Sequence, residues 1–163
     1  MRRSKKILIL GGGQMQVPII QCANSMGIHS IVADMAIDAP GFMYAKEKLH
    51  VSTMDVDKLR AFCRYHPIDG ILTTSDAPVN VVAVLGAEFG LPAMPIETAH
   101  LCTNKYFQRQ CLKSHGIKTP LFRMISNDEN IDDLNNMPFP LIVKPVDSSA
   151  SRGVARVENR NEL

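Results

Sequence analysis

Residues 5–13, KKILILGGG, constrain the fold more than any other stretch of the chain. A short, continuous apolar run that stops at Gly11, Gly12 and Gly13 has the pattern of a strand buried on both faces and entering a tight turn. Such a strand needs helices over both faces, and the next residues supply the first one. Val17, Ile20 and Ala23, with Cys22 and Met26, form a helical stripe that Gly27 is placed to end. Residues 28–33 repeat the apolar run and close at Asp34. Strand, helix and strand within about 30 residues make a βαβ unit.

The alternation continues. A strand is expected over 49–52. Thr53 or Asp55 then caps a helix on which Val56, Leu59, Phe62 and Cys63 share a face. GILTT at 70–74 reads as a fourth strand, and 78–89 as a helix turning Val81, Val82, Leu85 and Phe89 inward and ended by Gly90. Residues 91–94 are expected to add a short fifth strand. The reading is therefore α/β, a parallel sheet with helices on both faces, ending near residue 95. Beyond it, 96–102 and 104–115 are expected to be helical, the second capped by Thr103 and ended by Gly116. A strand is expected over 121–125 and one short helix within 126–136. At the end of the chain, Asn159 and Glu162 have the spacing of a capping box before Leu163. A second domain beginning near Leu121 would have too few residues to close its own core, so the chain reads as a truncated piece of a longer protein.

Composition removes several function classes. With 18 basic and 16 acidic residues the formal charge is +2, which gives no basic excess for nucleic acid. No apolar run approaches the ~20 residues of a membrane span. The cluster Arg2, Arg3, Lys5 and Lys6 precedes a run too short for a signal peptide, and is read as a solvated lead-in. Cys22, Cys63, Cys102 and Cys111 show no metal-ligand spacing, and the five histidines form no ligand pair. Buried free thiols in a cytoplasmic protein are the expectation.

Residues 139–157, FPLIVKPVDSSASRGVARV, read as strand, small-residue turn, strand. LIVKPV has the β-branched density of a buried strand, yet Lys144 sits inside it and Pro145 follows at once. An ammonium in an apolar setting either snorkels to water or meets an anion. The loop after it offers the hydroxyls of Ser148, Ser149 and Ser151, the guanidinium of Arg152, and Gly153 with a backbone free to take positive φ. The other reading is a hairpin at a sheet edge, blunted by Lys144 and Pro145. Composition leaves both open.

PLIVKPVDSSASRGV resembles the lid segment of the ATP-grasp superfamily, and NKYFQRQCLKSHGIKTP is similar to the helix that precedes that lid. The chain carries serines and an alanine where many members carry glycines. The resemblance runs from about Lys5 to the last residue. It implies a Rossmann-like first domain over 1–95, linking helices over 96–119, and the beginning of an incomplete α+β lid subdomain over 120–163. Lys105 and Lys144, with Ser148, Ser149, Ser151, Arg152 and Gly153, would contact the phosphates of ATP. The whole enzyme would phosphorylate a carboxylate with ATP and Mg²⁺, and an amine or other nucleophile would then attack the acyl phosphate. The Mg²⁺ ligands and the adenine hinge are expected downstream of residue 163, which leaves this chain inactive alone. A homodimer through the first domain is common in such families.

The glycine loop admits a second reading. GxG after a strand, with Asp34 about 20 residues on, suggests a dinucleotide site, but the third glycine of GxGxxG falls on Gln16. By the resemblance, Gly12, Gly13 and Gln14 instead shape the pocket of a small carboxylate or amine substrate, joined by Asp34, Ser75 and Asp76. Asp34 is alternatively a turn former, and Ser75 or Asp76 alternatively an N-cap. The rivals from other classes are a dinucleotide-dependent oxidoreductase domain and a non-catalytic small-molecule-binding module.

Overall fold

The computed structural model describes residues 4–126 and 137–163. They form two compact units, Met1–His100 and Leu101–Leu163. The first is built on four parallel strands, β1 (Lys6–Leu10), β2 (His29–Asp34), β3 (Glu47–His50) and β4 (Gly70–Thr73), in the order β3-β2-β1-β4. β1 is central and wholly apolar from Leu8 to Leu10, with none of the three side chains exposed. Its pleat sends Leu8 and Leu10 to one face and Ile9 to the other.

Two separate cores follow from that alternation. Leu8 and Leu10 join Ile31, Ile71, Leu59 and Cys63 of α2 (Val56–Tyr65), and Val81, Val82 and Leu85 of α3 (Val79–Phe89). Ile9 joins Val32, Ile20 and Ala23 of α1 (Val17–Ser25), and Phe42 of a 3₁₀ turn at Pro40–Met43. Helices thus cover both faces, as the apolar runs require. Cys22 and Met26 fall outside the buried stripe and are exposed.

Asp55 caps α2, accepting from Lys58 N at 3.1 Å. That hydrogen bond, with Lys58 close by, holds the Asp55 carboxyl below the usual carboxylate range. Gly90 ends α3 in the left-handed conformation, φ 63°. Arg60 on α2 pairs with Glu88 on α3 at 2.7 Å, which lowers the Glu88 carboxyl and raises the Arg60 guanidinium. Burial pushes the Cys63 thiol up.

Several expectations are corrected. β3 lies two residues earlier than expected, because Val51 turns out of the ladder and its N–H donates to Leu49 O. Residues 91–94 form no strand. Leu91 N donates back to Gly86 O, and Ala93 packs so closely on Gly86 that an added Cβ there would lie 2.4 Å from Ala93 Cβ. Residues 121–125 pair with no strand among the described residues. Of the four free cysteines only Cys63 is buried. The short helix expected within 126–136 lies, but for Ser126, outside the described residues.

α4 (Ile96–Thr103) carries the division between the units, and α5 (Lys105–Ser114) lies in the second. The cap of α5 is Asn104, not Thr103: its Oδ1 accepts from Tyr106 N at 3.0 Å and Phe107 N at 3.1 Å. Asparagine is the stronger N-cap of the two, and Thr103 is absorbed into the end of α4. The second unit also holds the antiparallel pair β5 (Leu141–Val143) and β6 (Ala155–Val157). β5 is not buried as its composition suggested. Ile142 is 58% and Val143 39% exposed, since two strands alone leave a face open. At the C-terminus Glu162 accepts from Glu158 N and Asn159 Nδ2, a displaced form of the expected capping box.

Candidate functional site

The strand order reverses direction at β1. From β1 the chain moves to β2 and β3 on one side, then crosses to β4 on the other. Open parallel sheets bind ligands at such a switch point, outside the carboxyl ends of the strands. The loop after β1, Gly11 to Gln16, and the loop after β4, Thr74 to Asp76, meet there.

Gln16 joins them. It is 6% exposed, and its Nε2 donates to Thr74 Oγ1 at 2.9 Å and to Ser75 Oγ at 3.1 Å. The residue that spoils the glycine fingerprint is therefore the one that closes the crevice. Its carboxamide lies beside Gly11 and Gly13, and a Cβ on Gly13 would come within 3.1 Å of Gln16 Oε1. Gly11 takes φ 111°, a conformation that side chains rarely adopt. Sequence reasoning did not assign Gln16 a role; the signal was a polar residue at the first position of an otherwise apolar helical stripe.

The other candidates of this unit divide. Asp34 is spent on local backbone: Oδ2 accepts from Gly12 N at 2.7 Å and Oδ1 from Ala36 N at 2.9 Å, so its visible role is to shape the turn. Gly12 is buried, its carbonyl accepting from Gly41 N at 2.6 Å. Gly13 is half-buried and Gln14 exposed. The capping alternative for Ser75 and Asp76 is not realised, because a turn through Pro78 delays α3 to Val79 and no side chain caps it. Ser75 is half-buried beside Gln16, and Asp76 is exposed.

In the second unit, the helix and the loop singled out from sequence come together. Lys105 N donates to Val146 O at 2.8 Å, and Lys105 Nζ donates to the Ser148 carbonyl. Lys144 follows β5 directly and is exposed. The loop turns back through three residues of positive φ, Ala150 (54°), Ser151 (57°) and Gly153 (69°). Left-handed conformations at Ala150 and Ser151 cost of order 1 kcal/mol each, which explains why glycine suits such a loop. Gly153 has no such latitude for another reason as well: a Cβ there would lie 2.8 Å from Pro145 Cγ. Arg152 folds over the loop, its Nε donating to Ser149 O at 3.2 Å and Nη2 to Ser149 Oγ at 3.4 Å. A cavity of about 510 Å³ in this unit is lined by Lys105, Arg109, Leu141, Val143, Lys144 and Val146 among others. Positive side chains at its wall, with hydroxyls and turn amides in the adjoining loop, are suited to a polyanion. Among the described residues no group of three or more His, Cys, Asp or Glu side chains forms a metal site, and no helix is long and apolar enough to cross a membrane.

No family model matches the sequence. It is 28% identical over 165 residues to the formate-dependent phosphoribosylglycinamide formyltransferase of Sulfurisphaera tokodaii, covering 98% of this chain and 41% of that protein. The protein of the same name from Methanocaldococcus jannaschii is 26% identical over 167 residues, with 100% and 43% covered. Among solved structures, an L-amino acid ligase from Bacillus licheniformis matches with a TM-score of 0.80 and 26% identity, over 99% of this chain and 41% of that one. The N5-carboxyaminoimidazole synthetase of Staphylococcus aureus, solved with ADP, has the same fold, with a TM-score of 0.79 at 23% identity, over 99% of this chain and 43% of that one. The chain spans about two-fifths of the length of these relatives.

Proposed function

Because the chain is related to the N-terminal part of ATP-grasp enzymes, we propose that it forms that part of an ATP-dependent ligase which activates a small carboxylate as an acyl phosphate. In this reading Lys105 and Lys144 bind phosphoryl oxygens of ATP, and the loop carrying Ser148, Ser149, Ser151, Arg152 and Gly153 covers them. A carboxylate oxygen attacks the γ-phosphorus, the bond to the β-phosphate oxygen breaks, and ADP leaves. An amine or other nucleophile then attacks the acyl carbon, and phosphate departs. The two ammonium groups offset the negative charge carried by the transferring phosphoryl group, and closure of the loop excludes water. When bound, Mg²⁺ would neutralise further phosphate charge. Among the described residues no group of three or more His, Cys, Asp or Glu side chains could hold it. The small substrate is assigned to the switch-point crevice, where Gly12, Gly13, Gln14, Ser75 and Asp76 are placed, with Asp34 shaping the turn.

The observation that carries this reading is the joining of Lys105 to the loop by both its backbone and its ammonium. The two lysine-bearing segments, 39 residues apart from Lys105 to Lys144, fold into one unit with the serine loop. The chain spans about two-fifths of the length of its relatives, and alone it is expected to show no ATP turnover. The test is Mg-ATP binding by calorimetry on the longest natural form, in wild type and Lys144→Ala. Loss of a charge-assisted phosphate contact should cost ~2 kcal/mol, roughly thirtyfold in affinity. Equal binding by both proteins would remove Lys144 from the site and return it to the role of an edge lysine.

A further inference from the structure

The carboxamide of Gln16 does more than fill the place of a third glycine. A side-chain amide that uses Nε2 to donate to two hydroxyl oxygens fixes the roles of those hydroxyls. Thr74 Oγ1 and Ser75 Oγ become acceptors toward Gln16, and each keeps one O–H proton free to donate to water or to a ligand, Thr74 being exposed and Ser75 half-buried. Neither proton is spent on a described residue. Both hydroxyls lie at the carboxyl end of β4, at the topological switch point. Gln16 Oε1, in a side chain 94% shielded from solvent, likewise accepts no hydrogen bond from a described residue. It faces the space beside Gly11 and Gly13. Gln16 Oε1 is not one of the fully buried unpaired atoms, so this end of the carboxamide is open to the crevice, where water or a ligand can complete it.

We propose that Gln16 is the positioning and selectivity residue of the switch-point crevice: it presents the Thr74 and Ser75 hydroxyls as a pair of donors to an oxyanion, a carboxylate or phosphate group of the small substrate. Its own Oε1 is left to accept an N–H or O–H from the same molecule. This rests on the assignment of the small substrate to that crevice, and it adds the polarity of the group that is read there. The same side chain stands where a dinucleotide fingerprint needs a glycine for close packing of helix on strand, which argues against a dinucleotide there.

The test is heteronuclear NMR on the 15N-labelled chain, titrated separately with acetate and with inorganic phosphate at constant ionic strength. Saturable shifts are expected at the Thr74 and Ser75 amides with at least one probe, and the probe that binds identifies which oxyanion the site takes. The Gln16 side-chain N–H₂ protons should exchange with water at least tenfold more slowly than those of exposed Gln14. Gln16→Met, close in volume but without a donor, should weaken the probe at least tenfold. Should that variant fail to fold, Ser75→Ala at its half-buried loop position carries the same expectation. The inference is overturned if wild type shows no saturable shift with either anion, if Gln16→Met or Ser75→Ala binds as wild type does, or if the Gln16 amide exchanges freely. The last result would mean that the carboxamide is turned end for end. Mg-ATP added in a separate titration reports on Lys105 and residues 147–153, so failure of the phosphate-clamp reading is seen independently of the anion result.

Discussion

Gly41 ties the 3₁₀ turn at Pro40–Met43 to the glycine loop, and its replacement by alanine tests how that loop is held. A Cβ at Gly41 would lie 2.7 Å from Ile20 Cδ1, 2.8 Å from Gly12 O and 3.0 Å from Gly12 Cα. Ile20 is fully buried and cannot swing away freely, and the other two atoms are backbone. Overpacking of this kind costs ~1–3 kcal/mol. The turn must also separate from Gly12, which breaks the 2.6 Å hydrogen bond from Gly41 N to Gly12 O. Leaving those groups unmade adds ~1–3 kcal/mol. Against this, alanine restricts the unfolded chain and returns ~0.4–1 kcal/mol. The net expectation is a loss of about 2–4 kcal/mol. For a unit of this size that lowers the midpoint of thermal unfolding by at least ~8 °C. Gly27→Ala is the control: its φ is +73° but nothing lies within 4 Å of the added carbon, so only the backbone penalty of ~1–2 kcal/mol applies. Circular dichroism melts of the three proteins decide it. If Gly41→Ala melts no lower than Gly27→Ala, the close packing of the turn on the glycine loop is not what holds the loop in place.

Two further perturbations are read from the helices. Glu88 is held below the ordinary carboxylate range by Arg60, so its stabilising pair is complete above the unfolded value near ~4.3 and fades as pH falls through the lowered folded value. Glu88→Gln should therefore destabilise at pH 7 and flatten the acid side of the stability profile; a wild-type slope below pH 4.5 in the variant would assign that slope to other groups. Asn104→Ala removes the acceptor for Tyr106 N and Phe107 N and should cost ~0.5–2 kcal/mol, seen as faster hydrogen exchange at those two amides. Unchanged exchange there would mean that α5 keeps its start without the cap.

The first unit was largely legible because its strands are buried on both faces. KILIL and HSIVAD need no alternation to be recognised, and glycines punctuate the helices between them. Legibility fell where tertiary contacts override local pattern. Residues 91–94 look like a strand, yet the approach of Ala93 to Gly86 draws them over the end of α3. Two polar residues, Thr103 and Asn104, stand at one helix boundary, and only the folded chain shows that the first closes α4 while the second opens α5. β5 is more exposed than its composition suggests, since an apolar run reports what a strand is suited to bury, not what lies over it.

The candidate site was legible in its parts and not in its wiring. Local pattern could place Lys105 on a helix and Lys144 in a strand, but a hydrogen bond from one to the loop of the other spans 43 positions in sequence. Gln16 shows the same limit from the opposite side. Read against a dinucleotide fingerprint it is a defect, because the fingerprint asks only whether a glycine is present. Read as chemistry, a buried amide must satisfy its donors, and the partners it finds are 58 and 59 residues away at the end of β4. The failed motif and the bridge across the switch point are thus one fact. A polar residue that breaks a glycine pattern at the mouth of a parallel sheet is where a different ligand chemistry should be sought first.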